Sequence, residues 1–129
     1  MESISSGNKQ KVVALLTQIR AAINDLNEWN SSVESEDDYY TSPGGMKNLA
    51  ASCMLIEAIG ESFKRIDKLT DSILLSERNE IPWEDVIGIR NHIAHGYFDI
   101  DGAIVFNTVK NDLEPLAEAT DYFLQLMKD

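Results

Sequence analysis

Apolar side chains recur at alternating spacings of four and three along residues 9 to 30, where Val12, Leu16, Ile19, Ile23 and Leu26 form one row and Leu15, Ala22 and Trp29 widen it. That period predicts an amphipathic helix. The pattern stops at Ser31-Ser32-Val33-Glu34-Ser35-Glu36-Asp37-Asp38, an acidic, serine-rich stretch with no apolar period whose like charges repel one another. It predicts a solvated connector over about 31–42. Tyr39 and Tyr40 at its end are expected to close a core, and Ser42-Pro43-Gly44-Gly45 supplies turn residues and a helix start.

A second apolar row, Leu49, Cys53, Ile56, Gly60, Phe63 and Ile66, predicts a helix over about 46–69. Glycine inside a helix costs about 1 kcal/mol relative to alanine, so Gly60 points to the close approach of another backbone. Glu57, Glu61, Lys64 and Lys68 share one flank and are spaced to pair in solvent. After the polar stretch 76–80, Pro82, Glu84 and Asp85 suit the first turn of a third helix, which is expected to run from about 82 to 96. Tyr97-Phe98-Asp99-Ile100-Asp101-Gly102 reads as a turn. The remaining apolar pattern, from Ile104 to Met127, predicts helix bent or broken at Pro115. No strand alternation competes, so the expected fold is all-α: an antiparallel bundle of four to five helices.

Composition narrows the picture. With 129 residues, of which 43% are hydrophobic and 26% charged, the chain reads as a single domain over 1–129 that folds without disulfide or structural metal. No apolar run approaches the roughly 20 residues that span a bilayer. The start of the chain lacks the basic and apolar regions of a secretory signal, and Cys53 is the lone cysteine, so a reducing cytoplasm and no membrane partner are expected. Eleven basic against 22 acidic residues leave a net charge of −11. Affinity for nucleic acid comes largely from Lys and Arg. DNA is therefore not an expected partner, and any RNA must be attracted locally.

The candidate chemistry centres on Arg90. On a continuous helix at about 100° per residue, Trp83, Val86, Ile87, Ile93, Ala94 and Tyr97 fall within about 60° of it, which places a guanidinium amid an apolar stripe. Buried there unpaired it would be very costly. Either it pairs with an acid of the second helix, Glu61 first, or it points into a site that receives an anion. Asn91 and His95 lie four apart on a neighbouring face, while His92 is expected to face solvent. His95 would close the helix, where a cation is favoured by the dipole, and its imidazole also suits general acid–base work. Metal-independent RNA cleavage needs a base for the ribose 2′-hydroxyl, stabilisation of the crowded phosphate and an acid for the leaving 5′-oxygen. Arginine suits the second task and histidine the first or third. A symmetric dimer would bring two of each to its axis.

At this point the residues resemble a known family. Arg90-Asn91-His92-Ile93-Ala94-His95-Gly96-Tyr97 is similar to R-x-x-x-x-H-x-Y, the motif of HEPN domains of the HepT type, the toxin half of HepT/MntA toxin–antitoxin pairs. Ile59-Gly60-Glu61, Ile81-Pro82-Trp83, Gly88, Tyr97-Phe98 with Asp101, and Asn111 to Leu116 fall in the order associated with that family, covering roughly 49–117. The resemblance implies a homodimeric all-α bundle joined through the motif-helix region, with Arg90 and His95 as the RNase pair in an interface cleft and Asn91 in support. It also implies that Tyr97 accepts AMP from a cognate minimal nucleotidyltransferase, the antitoxin, placing charge and bulk where the RNA phosphate must sit. A non-catalytic HEPN module that binds a nucleotide or the nucleotidyltransferase is the alternative, and a purely structural bundle with Arg90 in an internal ion pair is a third. Asp99 and Asp101 read as helix caps rather than metal ligands. No metal site and no cofactor are expected.

Overall fold

The computed structural model describes residues 4–128. Its helices are α1 (Ser6–Trp29), α2 (Pro43–Leu69), α3 (Trp83–Ile87), α4 (Arg90–Ile93), α5 (Gly102–Asn107) and α6 (Leu113–Leu126). The first two begin on serine caps: Ser5 Oγ accepts from the Asn8 amide at 3.2 Å, and Ser42 Oγ from the Gly45 amide at 2.9 Å, with Pro43 in the first turn of α2. Helix α1 packs against both α2 and α6. The core between them holds Leu16, Ile19, Ile23 and Leu26 from α1, Leu49, Phe63 and Ile66 from α2, and Leu113 and Phe123 from α6, all essentially inaccessible to water. The fold is all-α, and Ala94 and Ile100 form an isolated antiparallel bridge.

The connector between α1 and α2 is more ordered than its charge suggests. Val33 is buried, and a 3-10 turn spans Glu36–Tyr39. Asp38 Oδ2 accepts from the amides of Glu34 and Ser35 at 2.8 and 3.3 Å. Tyr39 is wholly buried, and its hydroxyl donates to Asn30 Oδ1 at 2.7 Å. Asn30, also buried, donates from Nδ2 to the Leu26 carbonyl and to Ser52 Oγ. The Lys110 ammonium donates to the Asn30 carbonyl at 3.1 Å. Repulsion among the acids is outweighed because this small polar network is satisfied and the tyrosine ring joins the core.

Two predicted helices depart from regular α geometry, each in an identifiable way. In place of one helix over 82–96, α3 ends at Gly88, whose amide still bonds back to Glu84. The amides of Asn91 and His92 then bond three residues back, to Gly88 and Ile89. Helix α4 ends at Ile93, and Ala94 is extended at φ −160° and ψ 151°. A straight helix would bury Arg90 beside Ile93; the break leaves Ile93 fully buried and turns Arg90 out to solvent. At the other end, the irregularity expected at Pro115 lies just before it, as a π turn over Thr108–Asp112. The Leu113 amide bonds five residues back to the Thr108 carbonyl, so the chain stays helical through this bulge, and Pro115, which has no amide hydrogen to donate, follows directly after it.

Gly60 does mark a close approach. A Cβ there would stand 2.7 Å from the Val86 carbonyl oxygen and 3.4 Å from Ile89 Cγ2. Since the nearest atom is backbone, Gly60→Ala is expected to destabilise the fold by about 1–3 kcal/mol through overpacking, despite alanine's better helix propensity. Urea unfolding checks this, and an alanine variant as stable as the parent would show that α3 can simply move away.

Candidate functional site

The segment carrying the site is held from below by Trp83. Its ring lies between Phe63, centroids 4.9 Å apart, and Phe123, 5.9 Å apart, and its Nε1–H donates to the Arg78 carbonyl at 3.0 Å. Ile93 anchors the other side. Between these anchors the guanidinium of Arg90 faces Glu61 of α2, with Nη1 to Oε1 at 3.7 Å; the two side chains are 68% and 46% exposed. The pairing with Glu61 that the sequence left as one of two readings therefore forms, but at the surface and loosely. Such a pair contributes at most about 1 kcal/mol. The reading of Arg90 as a buried structural pin does not survive this geometry.

Beyond Ile93 the chain folds back as a small loop. The His95 amide donates to the Asp99 carbonyl at 2.8 Å, the Asp99 amide to the Gly96 carbonyl at 3.2 Å, and the Asp101 amide to the Ile93 carbonyl at 2.7 Å. Gly96 has φ +103°, a left-handed conformation that a side chain would strain. Asp101 caps α5 through the Ile104 amide at 3.1 Å, as its position suggested. The loop presents Tyr97 and Phe98, edge to face at 5.1 Å, at 60% and 97% exposure.

Arg90, Ala94, Gly96, Tyr97 and Ile100 line one side of an open groove of about 420 Å³; Ala50, Cys53, Met54 and Glu57 of α2 line the other. Asn91 and His95 are exposed but are not among the lining residues. Because α4 ends at Ile93, His95 sits in the loop rather than closing a helix, and the helical four-residue relation between Asn91 and His95 is absent. His92 is exposed, as anticipated. The structure thus sets Arg90 and Tyr97 on one recess, with Glu61 reaching Arg90 from outside its lining, and leaves His95 on the surface, beside them in sequence.

Cys53, Met54 and Ile100 were not singled out as site residues. Met54, 72% exposed on an otherwise amphipathic helix, is the kind of misplaced apolar residue that could have signalled the groove. Burial foremost, then the charge and hydrogen bonding of Glu57, pushes the Cys53 thiol up to about 11. A pKa raised in this way lowers the thiolate fraction and with it the nucleophilicity of the sulfur. Among the described residues no group of three or more His, Cys, Asp and Glu side chains could hold a metal ion, and no helix is long and apolar enough to cross a membrane.

The all-helical fold offers an exposed arginine and a motif tyrosine on one groove, with the motif histidine in the adjoining loop. The family model described as Ribonuclease HepT-like matches residues 16–123, and the chain belongs to that family. Relatives include two proteins of Methanocaldococcus jannaschii. "Putative RNase MJ1380" is 25% identical over 88% of this chain and 97% of its own length. "Putative RNase MJ1216" is 25% identical over 94% and 91%. "Probable ribonuclease HepT" of Thermococcus cleftensis is 33% identical over 47% of this chain and 52% of its own. No solved structure matches significantly.

Proposed function

We propose that this protein is a metal-independent endoribonuclease, acting as a single HEPN domain over 1–129 and as the toxin of a prokaryotic toxin–antitoxin pair. The observation that carries the reading is Arg90, a charged side chain brought out of the apolar stripe by a break in its own helix and set on a groove with Tyr97, within a ribonuclease family. Arg90 stabilises the negative charge that builds on the phosphate as the 2′-oxygen bonds to phosphorus and the 5′-oxygen leaves. His95 moves protons in that step, taking one from the 2′-hydroxyl or giving one to the 5′-oxygen, and Asn91 supports the pair. One chain has a single motif histidine and needs two proton transfers. A homodimer closing the motif regions on each other supplies both, and the exposed Met54 and Phe98 give such an interface apolar area.

Tyr97 is the acceptor for AMP from a cognate minimal nucleotidyltransferase antitoxin. Its exposed ring lets an enzyme reach the hydroxyl, and an added AMP would put a phosphate and an adenosine into the groove that Arg90 serves for RNA. The net charge of −11, with Glu57 and Glu61 beside Arg90, favours a second reading: a non-catalytic module whose groove binds the nucleotidyltransferase or a nucleotide.

The test uses purified protein and single-stranded RNA in EDTA. Cleavage products with 2′,3′-cyclic phosphate ends are expected, and treatment with the nucleotidyltransferase and ATP should add the mass of AMP to the parent but not to Tyr97→Phe. No cleavage of structured or unstructured RNA at any protein concentration would reject catalysis and leave the module; AMP addition unchanged in Tyr97→Phe would reject the acceptor.

A further inference from the structure

A second recess, of about 520 Å³, lies where α2, the α3 region and the start of α6 meet, and it shares no lining residue with the Arg90 groove. Its floor is apolar: Ile56, Ile59, Leu113 and Leu116 are buried there, and Val86 and Ile89 of the motif segment form one wall. Three exposed carboxylates, Glu80, Asp85 and Asp112, also line it, and no lysine or arginine does. Glu80 is bonded to Arg78. The side chains of Asp85 and Asp112 have no hydrogen-bonding or ion-pairing partner among the described residues. Partial burial pushes the Asp112 carboxyl above its ordinary range, as it would for a carboxylate losing water without gaining a cation.

The π turn brings Asp112 to this recess, and Gly60, packed against the Val86 carbonyl, forms part of its wall. A volume of this size suits a small molecule. An apolar cavity lined by no lysine or arginine, with Asp85 and Asp112 unpaired among the described residues, is complementary to one chemistry in particular. We infer that this recess is a binding site for a small amphipathic organic cation, an alkyl- or arylammonium, whose apolar body lies on Ile56, Ile59 and Leu116 and whose ammonium meets Asp85 and Asp112. The floor removes the ligand's hydrocarbon from water, and the carboxylates select its charge. Anions of the same shape are repelled.

The experiment follows backbone amide signals of the full chain by NMR during titration with 4-phenylbutylammonium, with 4-phenylbutanol and 4-phenylbutyrate as neutral and anionic counterparts. Saturable shifts are expected at residues 80–89 and 108–116 with the ammonium. The alcohol should bind about tenfold more weakly, as loss of a charge-assisted contact implies, and the carboxylate not at all. Asp85→Asn with Asp112→Asn, both changes at exposed positions, should reduce the ammonium's affinity about tenfold while leaving the alcohol's unchanged. Absence of saturable shifts, equal binding of the alcohol, shifts centred on Glu57 and Tyr97, or protection of residues 80–89 by self-association alone would each overturn the assignment. RNA cleavage does not enter this readout, so the ribonuclease reading and this one fail separately.

Discussion

His95→Ala protein is expected to lose RNA cleavage by about 10²–10⁴-fold, the range that a positioned proton-transfer group supplies, while its unfolding midpoint stays that of the parent. The side chain is exposed and the loop around it is held by backbone bonds from His95 to Asp99 and from Asp101 to Ile93, so no core contact disappears with the imidazole. Arg90→Ala belongs to the same experiment. Among the described residues its guanidinium has only the 3.7 Å contact with a half-exposed Glu61, so its removal should change stability by less than about 1 kcal/mol yet suppress cleavage to a similar extent. Full activity in a clean preparation of either variant would remove these residues from the chemistry. A loss of several kcal/mol in Arg90→Ala would instead restore the structural ion pair that the surface geometry argues against.

The largest expected effect on stability falls on Trp83→Ala. That ring fills the space between Phe63 of α2 and Phe123 of α6 and ties the start of α3 to the Arg78 carbonyl. Truncation should cost about 3–5 kcal/mol, measured as a lowered midpoint in denaturant unfolding at constant m-value. Because the motif segment hangs from this anchor, the variant should also lose cleavage below its unfolding midpoint. Trp83→Phe, which keeps much of the volume and gives up the indole donor, should recover most of the stability. A fully stable Trp83→Ala protein would mean that α3 is not fixed by the aromatic stack.

Much of the architecture was legible because α1, α2 and α6 are long and amphipathic: Val12 to Leu26, Leu49 to Ile66 and Leu113 to Phe123 repeat with the helical period, and burial follows that period. Gly60 was legible too, since a glycine in a helix is expensive unless something needs the space, and the Val86 carbonyl occupies it. The breaks were not. Periodicity assigns an angle to each residue only while the helix continues, so Arg90, placed in the apolar stripe by 100° steps, was misplaced once the chain changed course at Gly88 and Ile89. The same failure moved His95 from a helix end to a loop. The acidic connector misled in the opposite way, because its net repulsion is visible in sequence while the seat of Tyr39 against Asn30 and the core is not.

Hydrophobic spacing by itself determined that this chain is helical and which faces pack, and the order of residues that one arginine, one histidine and one tyrosine stand at R-x-x-x-x-H-x-Y spacing. Only tertiary packing decided where those side chains point. A guanidinium is too costly to leave dry without a partner, and the fold resolves that cost by ending one helix, starting another and presenting the charge to water beside Tyr97. Competition of that kind between a short stretch of helix and the solvation of one charge is settled by neighbours distant in the chain, here the glycine and acids of α2 and the aromatic seat of Trp83.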